Sequence, residues 1–237
     1  MVYTLGLQNS NVAGCALFKD NVLVGAVSEE RFTREKNCKG IPENSINYLL
    51  KEAGITLKRV DEFCYAMISN IYPKEEEINQ VINDAKALSM HWSNNPGKGF
   101  ERIQSEIRWN KKYINEYFDW LKSNSIEREK SFEYDHHLSH ASGALFSSPF
   151  DKAEKSIVFT ADGKGGFRSS SVNFWDGNTL ETRSYSSSFH SFGYFYGTIT
   201  KILGFKPKRH EGKVTGLAAH GDPSKLINTF REFIKCI

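Results

Sequence analysis

Three histidines fall within five positions of the stretch DHHLSHASGALF, residues 135–146. On a helix, His136 and His140 would lie four apart, with both imidazoles on one face about a turn from each other. Histidine is the commonest metal-ligating side chain, so the pair could be half of a metal site. The same residues would equally serve as the polar first turn of an ordinary helix. His137 points off that face, where contact with a ligand, acid–base work and exposure to solvent are all open to it. Asp162, closing the run SIVFTADG, offers a hard oxygen that could ligate a metal or orient a water.

Three loops add further candidates. In SEERFTREKNCKGIP, residues 28–42, Arg31 and Lys36 suit a phosphate or carboxylate, one as a planar fork and the other as a point charge. In TADGKGG, residues 160–166, the strand runs from Asp162 into Gly163, Lys164 and Gly165, exposing backbone amides to a ligand. That turn lacks the spacing and terminal hydroxyl residue of a Walker motif. In HEGKVTGLAAHG, residues 210–221, Lys213 sits near a helix start, where free N–H groups favour anions, with Gly216 a turn further on. His210 and His220 read as surface or capping residues.

Positioning these groups falls to an α/β layout. YTLGL is a strand, and AGCALFKDNVLVGAVSEE is a hairpin turned at KDN. PENSINYLLKEAG is a helix opened by Pro42 and capped by Gly54. VDEFCYAMIS is a further strand. Residues 73–124 carry two charged-and-aromatic helical segments around the loop SNNPGKG, read as a surface helical insertion whose Trp and Tyr stripe is core. SFEYD leads as a short strand into the histidine helix. After SSPFDKAEK the order returns: a strand, a second hairpin turned at DGN, and the helix FGYFYGTITKILGF. The expected division is therefore a first lobe at residues 1–150 and the start of a second at residues 151–237.

Bulk properties narrow the function classes. The 237 residues carry a net charge of +3, with 39% hydrophobic and 25% charged residues, as a folded soluble chain does. Such a balance gives no case for nucleic acid or an anionic membrane as partner. No apolar run reaches membrane-spanning length. The four scattered cysteines fit reduced thiols in a cytoplasm rather than a zinc ribbon or disulfide framework.

Taken together, SEERFTREK, HHLSHA, TADGKGG, FGYFYGTITKILGF and EGKVTGLAAHG resemble the N-terminal domain of the O-carbamoyltransferases that modify nodulation factors and antibiotics. Relatives in that group carbamoylate a hydrogenase-maturation cysteine or make threonylcarbamoyl-adenosine on tRNA. The resemblance implies a duplicated actin-like, hexokinase-like ATPase fold of ribonuclease-H-like lobes. It also implies a divalent metal, often iron, on His136, His140 and Asp162, with a further acidic ligand beyond the end of this chain. Lys213 and Gly216 would line a nucleotide cleft. Carbamoyl-adenylate, made from carbamoyl phosphate and ATP by a separate C-terminal domain, would donate its carbamoyl group to an acceptor hydroxyl or amine. Two nitrogens and one hard oxygen suit Fe(II), Mn(II) or Zn(II) with open positions, acting as Lewis acid and template.

Two departures qualify the resemblance. The family's first strand is usually followed by a His-Asp pair. Here the stretch is LQNSNVAG, in which Asn9, Ser10 and Asn11 are left to hydrogen-bond a ligand. The second lobe is also expected to be incomplete, its exposed edge covered by a partner chain carrying the missing domain or by a second copy. The alternative is a degenerate nucleotide- or metabolite-binding module without turnover. A metal-dependent hydrolase fits less well, because no glutamate stands between the histidines as in HExxH.

Overall fold

Alternating apolar residues direct the first strands onto one core. The computed structural model describes residues 1–66, 79, 83 and 97–234, and it is a mixed α/β protein. Strands β1 (Tyr3–Gln8), β2 (Gly14–Lys19) and β3 (Val22–Ser28) form an antiparallel meander. The turn between β2 and β3 is tight because Asp20 and Asn21 both adopt positive φ, a conformation these two residue types tolerate. A one-turn helix α1 (Glu30–Thr33) and helix α2 (Glu43–Glu52) follow, and Gly54 at φ +65° closes the turn after α2 as the sequence implies. Strand β4 (Glu62–Tyr65) then pairs parallel to β1. Helix α3 (Gly97–Ser123) leads to β5 (Ser131–Glu133), parallel to β4, giving the order β3-β2-β1-β4-β5.

One face of this mixed sheet is buried. Leu5, Leu7, Leu17, Phe63 and Tyr65 meet Ile46, Leu49 and Leu50 of α2 and Ile114, Tyr117, Trp120 and Leu121 of α3. Tyr65 stacks on Tyr117 with ring centroids 4.3 Å apart. The aromatic stripe of α3 is core, as its spacing implies. The C-terminal half of helix α3 thus packs into the first core and is not a surface addition. The segment read as the other helix of that insertion, residues 73–92, lies outside the described residues except for residues 79 and 83.

A second core follows. Helix α4 (His136–Ser147) precedes the antiparallel strands β6 (Ser156–Gly165), β7 (Arg168–Trp175) and β8 (Leu180–Ser187). Ala141 and Leu145 of α4 pack on Val158 and Trp175. The turn DGN closes through the Asp176 carboxylate, which accepts the N–H groups of Asn178 and Thr179, with Gly177 at φ +102°. Helices α5 (Phe192–Ile202), α6 (Glu211–Ala218) and α7 (Ile227–Phe233) complete the chain. A strand, a hairpin and a helix thus recur, as the sequence pattern suggests. The two sheets fall on either side of residue 150, and both belong to one compact unit, Met1–Ser191; Phe192–Ile237 forms the other. Among the described residues no helix is long and apolar enough to cross a membrane.

Candidate metal centre

Helix α4 starts where it does because Asp135 caps it, accepting the Leu138 N–H at 2.9 Å. The other Asp135 oxygen lies 3.6 Å from the Arg168 guanidinium, which ties the helix start to β7. From this start the helix presents three faces. His137, Ala141 and Leu145 are buried. Leu138, Ser139 and Ser142 line an open groove against the first sheet. His136 and His140 turn toward the end of β6.

There the expected trio comes together. The His136 Nε2 lies 2.8 Å from the Asp162 Oδ2. The His140 Nε2 lies 3.1 Å from the His136 Nε2 and 3.6 Å from the Asp162 Oδ2. Metal–ligand bonds of about 2.0–2.2 Å at tetrahedral or octahedral angles place neighbouring ligand atoms roughly 3.0–3.5 Å apart. The observed spacings bracket that range, and the two-nitrogen, one-carboxylate set matches the facial arrangement used for Fe(II). Among the described residues this is the one such cluster of three. The donors therefore fit a divalent metal, with room for other ligands on the exposed His140 side.

The electrostatics agree with that donor set. Burial pushes the Asp162 carboxyl up, but hydrogen bonds from His136, His140 and the Gly163 N–H outweigh it and hold it well below the usual carboxylate range. Asp162 in turn raises His140 against the opposing effect of burial. The site offers an ionised oxygen and two imidazole nitrogens.

The glycine-rich turn is shaped around this trio. A Cβ on Gly165 would lie 2.0 Å from the His136 Cδ2 and 2.4 Å from its Cγ, so only glycine lets the ring sit where it does. Gly163 carries no such constraint; its N–H donates to Asp162 and its carbonyl accepts the Ser191 hydroxyl. The Lys164 ammonium lies 3.2 Å from the Glu106 carboxylate of α3. Arg31 borders the groove, an opening of about 850 Å³ floored by Gly6, Ala16 and Ala26. Lys36 is exposed on its loop, and Lys213 and Gly216 lie on α6 in the second unit. His210 directly precedes α6 but its side chain makes no cap bond to that helix; its Nδ1 accepts the Lys206 N–H of the preceding turn.

Two expectations require correction. His137 is fully buried, not solvent-facing, with its Nδ1 2.9 Å from the Thr160 hydroxyl. Burial holds its imidazole below the usual histidine range, outweighing the Arg168 backbone and nearby carboxylates. It has no open path to a substrate. Asn9 and Ser10 are likewise not available to a ligand. The Asn9 amide donates to the Tyr113 carbonyl and the Glu116 carboxylate, and its oxygen accepts the Tyr65 hydroxyl, all beneath the sheet end. Ser10 is also buried, and its hydroxyl donates to Gln8. Only Asn11 of that trio is exposed.

Sequence reasoning also missed several positioning residues. Asp135 was legible as an aspartate directly before a helical run. Thr160, two residues before Asp162 and so on the same strand face, was legible by alternation. Glu29 was not. Its buried carboxylate accepts the N–H and side-chain donors of Asn44 and Ser45, capping α2 from 14 residues before that helix begins.

Comparison with known proteins adds to this geometry. The sequence profile of a family described as Carbamoyltransferase N-terminus matches residues 4–235. An uncharacterized protein of Synechocystis sp. is 34% identical over 234 residues, covering 94% of this chain and 35% of its own length. Another, from Methanocaldococcus jannaschii, is 30% identical over 232 residues, covering 98% of this chain and 36% of its own. Nodulation protein NolNO of Sinorhizobium fredii is 28% identical over 229 residues, 93% of this chain and 29% of that protein. The chain spans about a third of the length of these curated relatives.

Proposed function

Because the chain belongs to the carbamoyltransferase N-terminus family, we propose that it is the cleft domain of a metal-assisted carbamoyltransferase. Its substrate is carbamoyl-adenylate, made from carbamoyl phosphate and ATP. The adenylate-forming part comes from a further domain or a partner chain, a reading supported by the greater length of the relatives. The recurrence of strand, hairpin and helix supports a duplicated actin-like, ribonuclease-H-like fold as its frame.

The observation that carries this reading is the convergence of His136, His140 and Asp162 within hydrogen-bond range. These three would hold a divalent metal, Fe(II) before Mn(II) or Zn(II), which when bound supplies Lewis-acid polarisation of a phosphate or carbamoyl oxygen. The acceptor hydroxyl or amine forms a bond to the carbamoyl carbon. The bond from that carbon to the adenylate phosphate oxygen breaks, AMP leaves with the electron pair, and the proton lost by the acceptor passes to the departing phosphate or to water. Arg31 and Lys36 act as charge-assisted anchors for an anionic donor, and Lys213 offers the same kind of contact to an anion from its own helix. The Gly163 N–H keeps the Asp162 carboxylate aimed at the centre.

A second reading, binding without turnover, is favoured by one observation. The first loop, LQNSNVAG, presents neither acid nor base, and its Asn9 and Ser10 are buried. A single-turnover assay of the full chain with carbamoyl-adenylate, Fe(II) and candidate hydroxyl or amine acceptors separates the two. Acceptor-dependent AMP release, lost in His136→Ala and His140→Ala, is the expected result. Tight binding with no AMP release selects the second reading. Neither binding nor metal uptake would refute both.

A further inference from the structure

Beneath the histidine pair runs a buried chain of polar groups that the proposed chemistry does not use. The His137 Nδ1 meets the Thr160 hydroxyl of β6 at 2.9 Å, and that hydroxyl meets Ser171 of β7 at 2.7 Å. The Asn173 amide donates to Ser171 at 2.8 Å and to the Val158 carbonyl at 3.1 Å. Its oxygen accepts the Thr182 hydroxyl of β8 at 2.8 Å. His137, Thr160, Ser171 and Asn173 are all at most 7% exposed. They lie in the layer where Ala141, Leu145, Val158 and Trp175 supply ordinary apolar adhesion.

Adhesion alone does not call for this chain. Aliphatic side chains would fill the same layer without desolvating polar groups. Directional hydrogen bonds add something apolar contact cannot, which is a fixed register between helix and strand. The position of the link is specific. His137 is one residue from His136, three from His140, and its partner Thr160 is two residues before Asp162 on the same strand. The hydrogen bonds among the three ligating atoms are given up when those atoms turn to an ion. The link from His137 to Thr160 uses none of those atoms, so it persists when they turn to an ion.

We propose that His137 is a positioning residue, which through Thr160 and Ser171 locks the register of α4 on β6 and thereby sets the spacing of the His136, His140 and Asp162 donors. The inference rests on the metal reading of that trio. It assigns His137 an indirect role, where the sequence had left acid–base work open. Metal sites are tuned by such supporting bonds, and their loss lowers affinity about 10- to 100-fold. Here the support reaches the ligands through the helix backbone and not through a ligand's second nitrogen.

The test is a Co(II) titration of the full chain, followed by the visible d–d bands, which report both affinity and ligand geometry. Thr160→Val keeps the side-chain shape and removes the hydroxyl; Thr160→Ser restores it. Measurements are made where circular dichroism shows each variant fully folded. Thr160→Val is expected to bind Co(II) about 10- to 100-fold more weakly with altered bands, and Thr160→Ser to regain the wild-type spectrum. If Thr160→Val fails to fold, Ser171→Ala breaks the chain one link further out and is expected to weaken binding in the same direction. Wild-type affinity and bands in folded Thr160→Val or Ser171→Ala, even with lowered thermal stability, would overturn this inference and leave the metal reading intact. A wild-type chain with no d–d bands at millimolar Co(II) would overturn the metal reading and this inference with it.

Discussion

Gly165→Ala is the sharpest perturbation of the proposed centre, because the added methyl has one place to go. Its Cβ would sit 2.0 Å from the His136 Cδ2 and 2.8 Å from the Nε2 itself. Ordinary carbon–carbon contact begins near 3.5 Å, so either the imidazole or the β6 backbone must move by roughly 1.5 Å. The Nε2 now lies 2.8 Å from Asp162. A shift of that size removes the ring from the common point of the three donors. If the ring rotates away, the off-rotamer cost is about 0.5–1.5 kcal/mol; if helix and strand separate instead, overpacking costs about 1–3 kcal/mol. Both routes give modest destabilisation. Loss of one of three ligands weighs more on affinity, which should fall by at least about 100-fold, near 2.8 kcal/mol. Gly163→Ala is the matched control, since a methyl there meets no atom within 4 Å. Urea unfolding and Co(II) titration of both variants make the comparison. Gly165→Ala binding Co(II) as well as Gly163→Ala would refute the packing argument.

Three further outcomes follow from the same geometry. Burial alone would raise the Glu29 carboxyl, but donors from Ser45 and Asn44 outweigh it and hold it below the usual range. Its stabilisation is therefore present above the ordinary glutamate pKa and lost as pH falls through the lowered value. Thermal midpoints should drop on acidification in the wild type and less steeply in Glu29→Gln; parallel curves would count against this. A methyl on Gly216 meets no atom within 4 Å, so Gly216→Ala should leave stability unchanged or raise it by up to about 1 kcal/mol. Loss of adenylate binding by calorimetry in that stable variant would mark close approach of the ligand, and unaltered binding would remove Gly216 from the site. Arg31→Ala, Lys36→Ala and Lys213→Ala should each weaken ATP binding by about 1.5–3 kcal/mol. Unchanged calorimetric affinity in all three would make them solvated surface charges.

What could be read from the sequence was periodic or adjacent. The hairpin at KDN needed only alternation and two residues that accept positive φ. The stripe Ile114, Tyr117, Leu121 needed only helical spacing, and the His136–His140 pair only a four-residue step. What could not be read depended on partners remote in sequence. Glu29 looked like one charge in a charged loop, because its donors, Asn44 and Ser45, reach it only after α2 has packed. Asn9 looked ligand-ready, because polar side chains at strand ends usually face water. Here its amide finds Tyr65, Tyr113 and Glu116 inside the core. Gly165 read as a loop for a ligand, and the contact that requires glycine comes from a helix nearly thirty residues earlier.

The three-sided use of α4 bears on how the sequence can drift. From Asp135 to Ser142, each position is committed to a cap, an imidazole, a buried contact or the groove wall. Gly143, Ala144, Phe146 and Ser147 are exposed, with Leu145 alone buried among them. A deep mutational scan of this helix should therefore split at its midpoint, intolerant through the first two turns and permissive beyond except at the buried Leu145. Insertions of a single residue before Ser142 would be worse than any substitution there. Each would rotate everything after it by about 100° relative to everything before it, taking upstream and downstream members of the three faces out of phase.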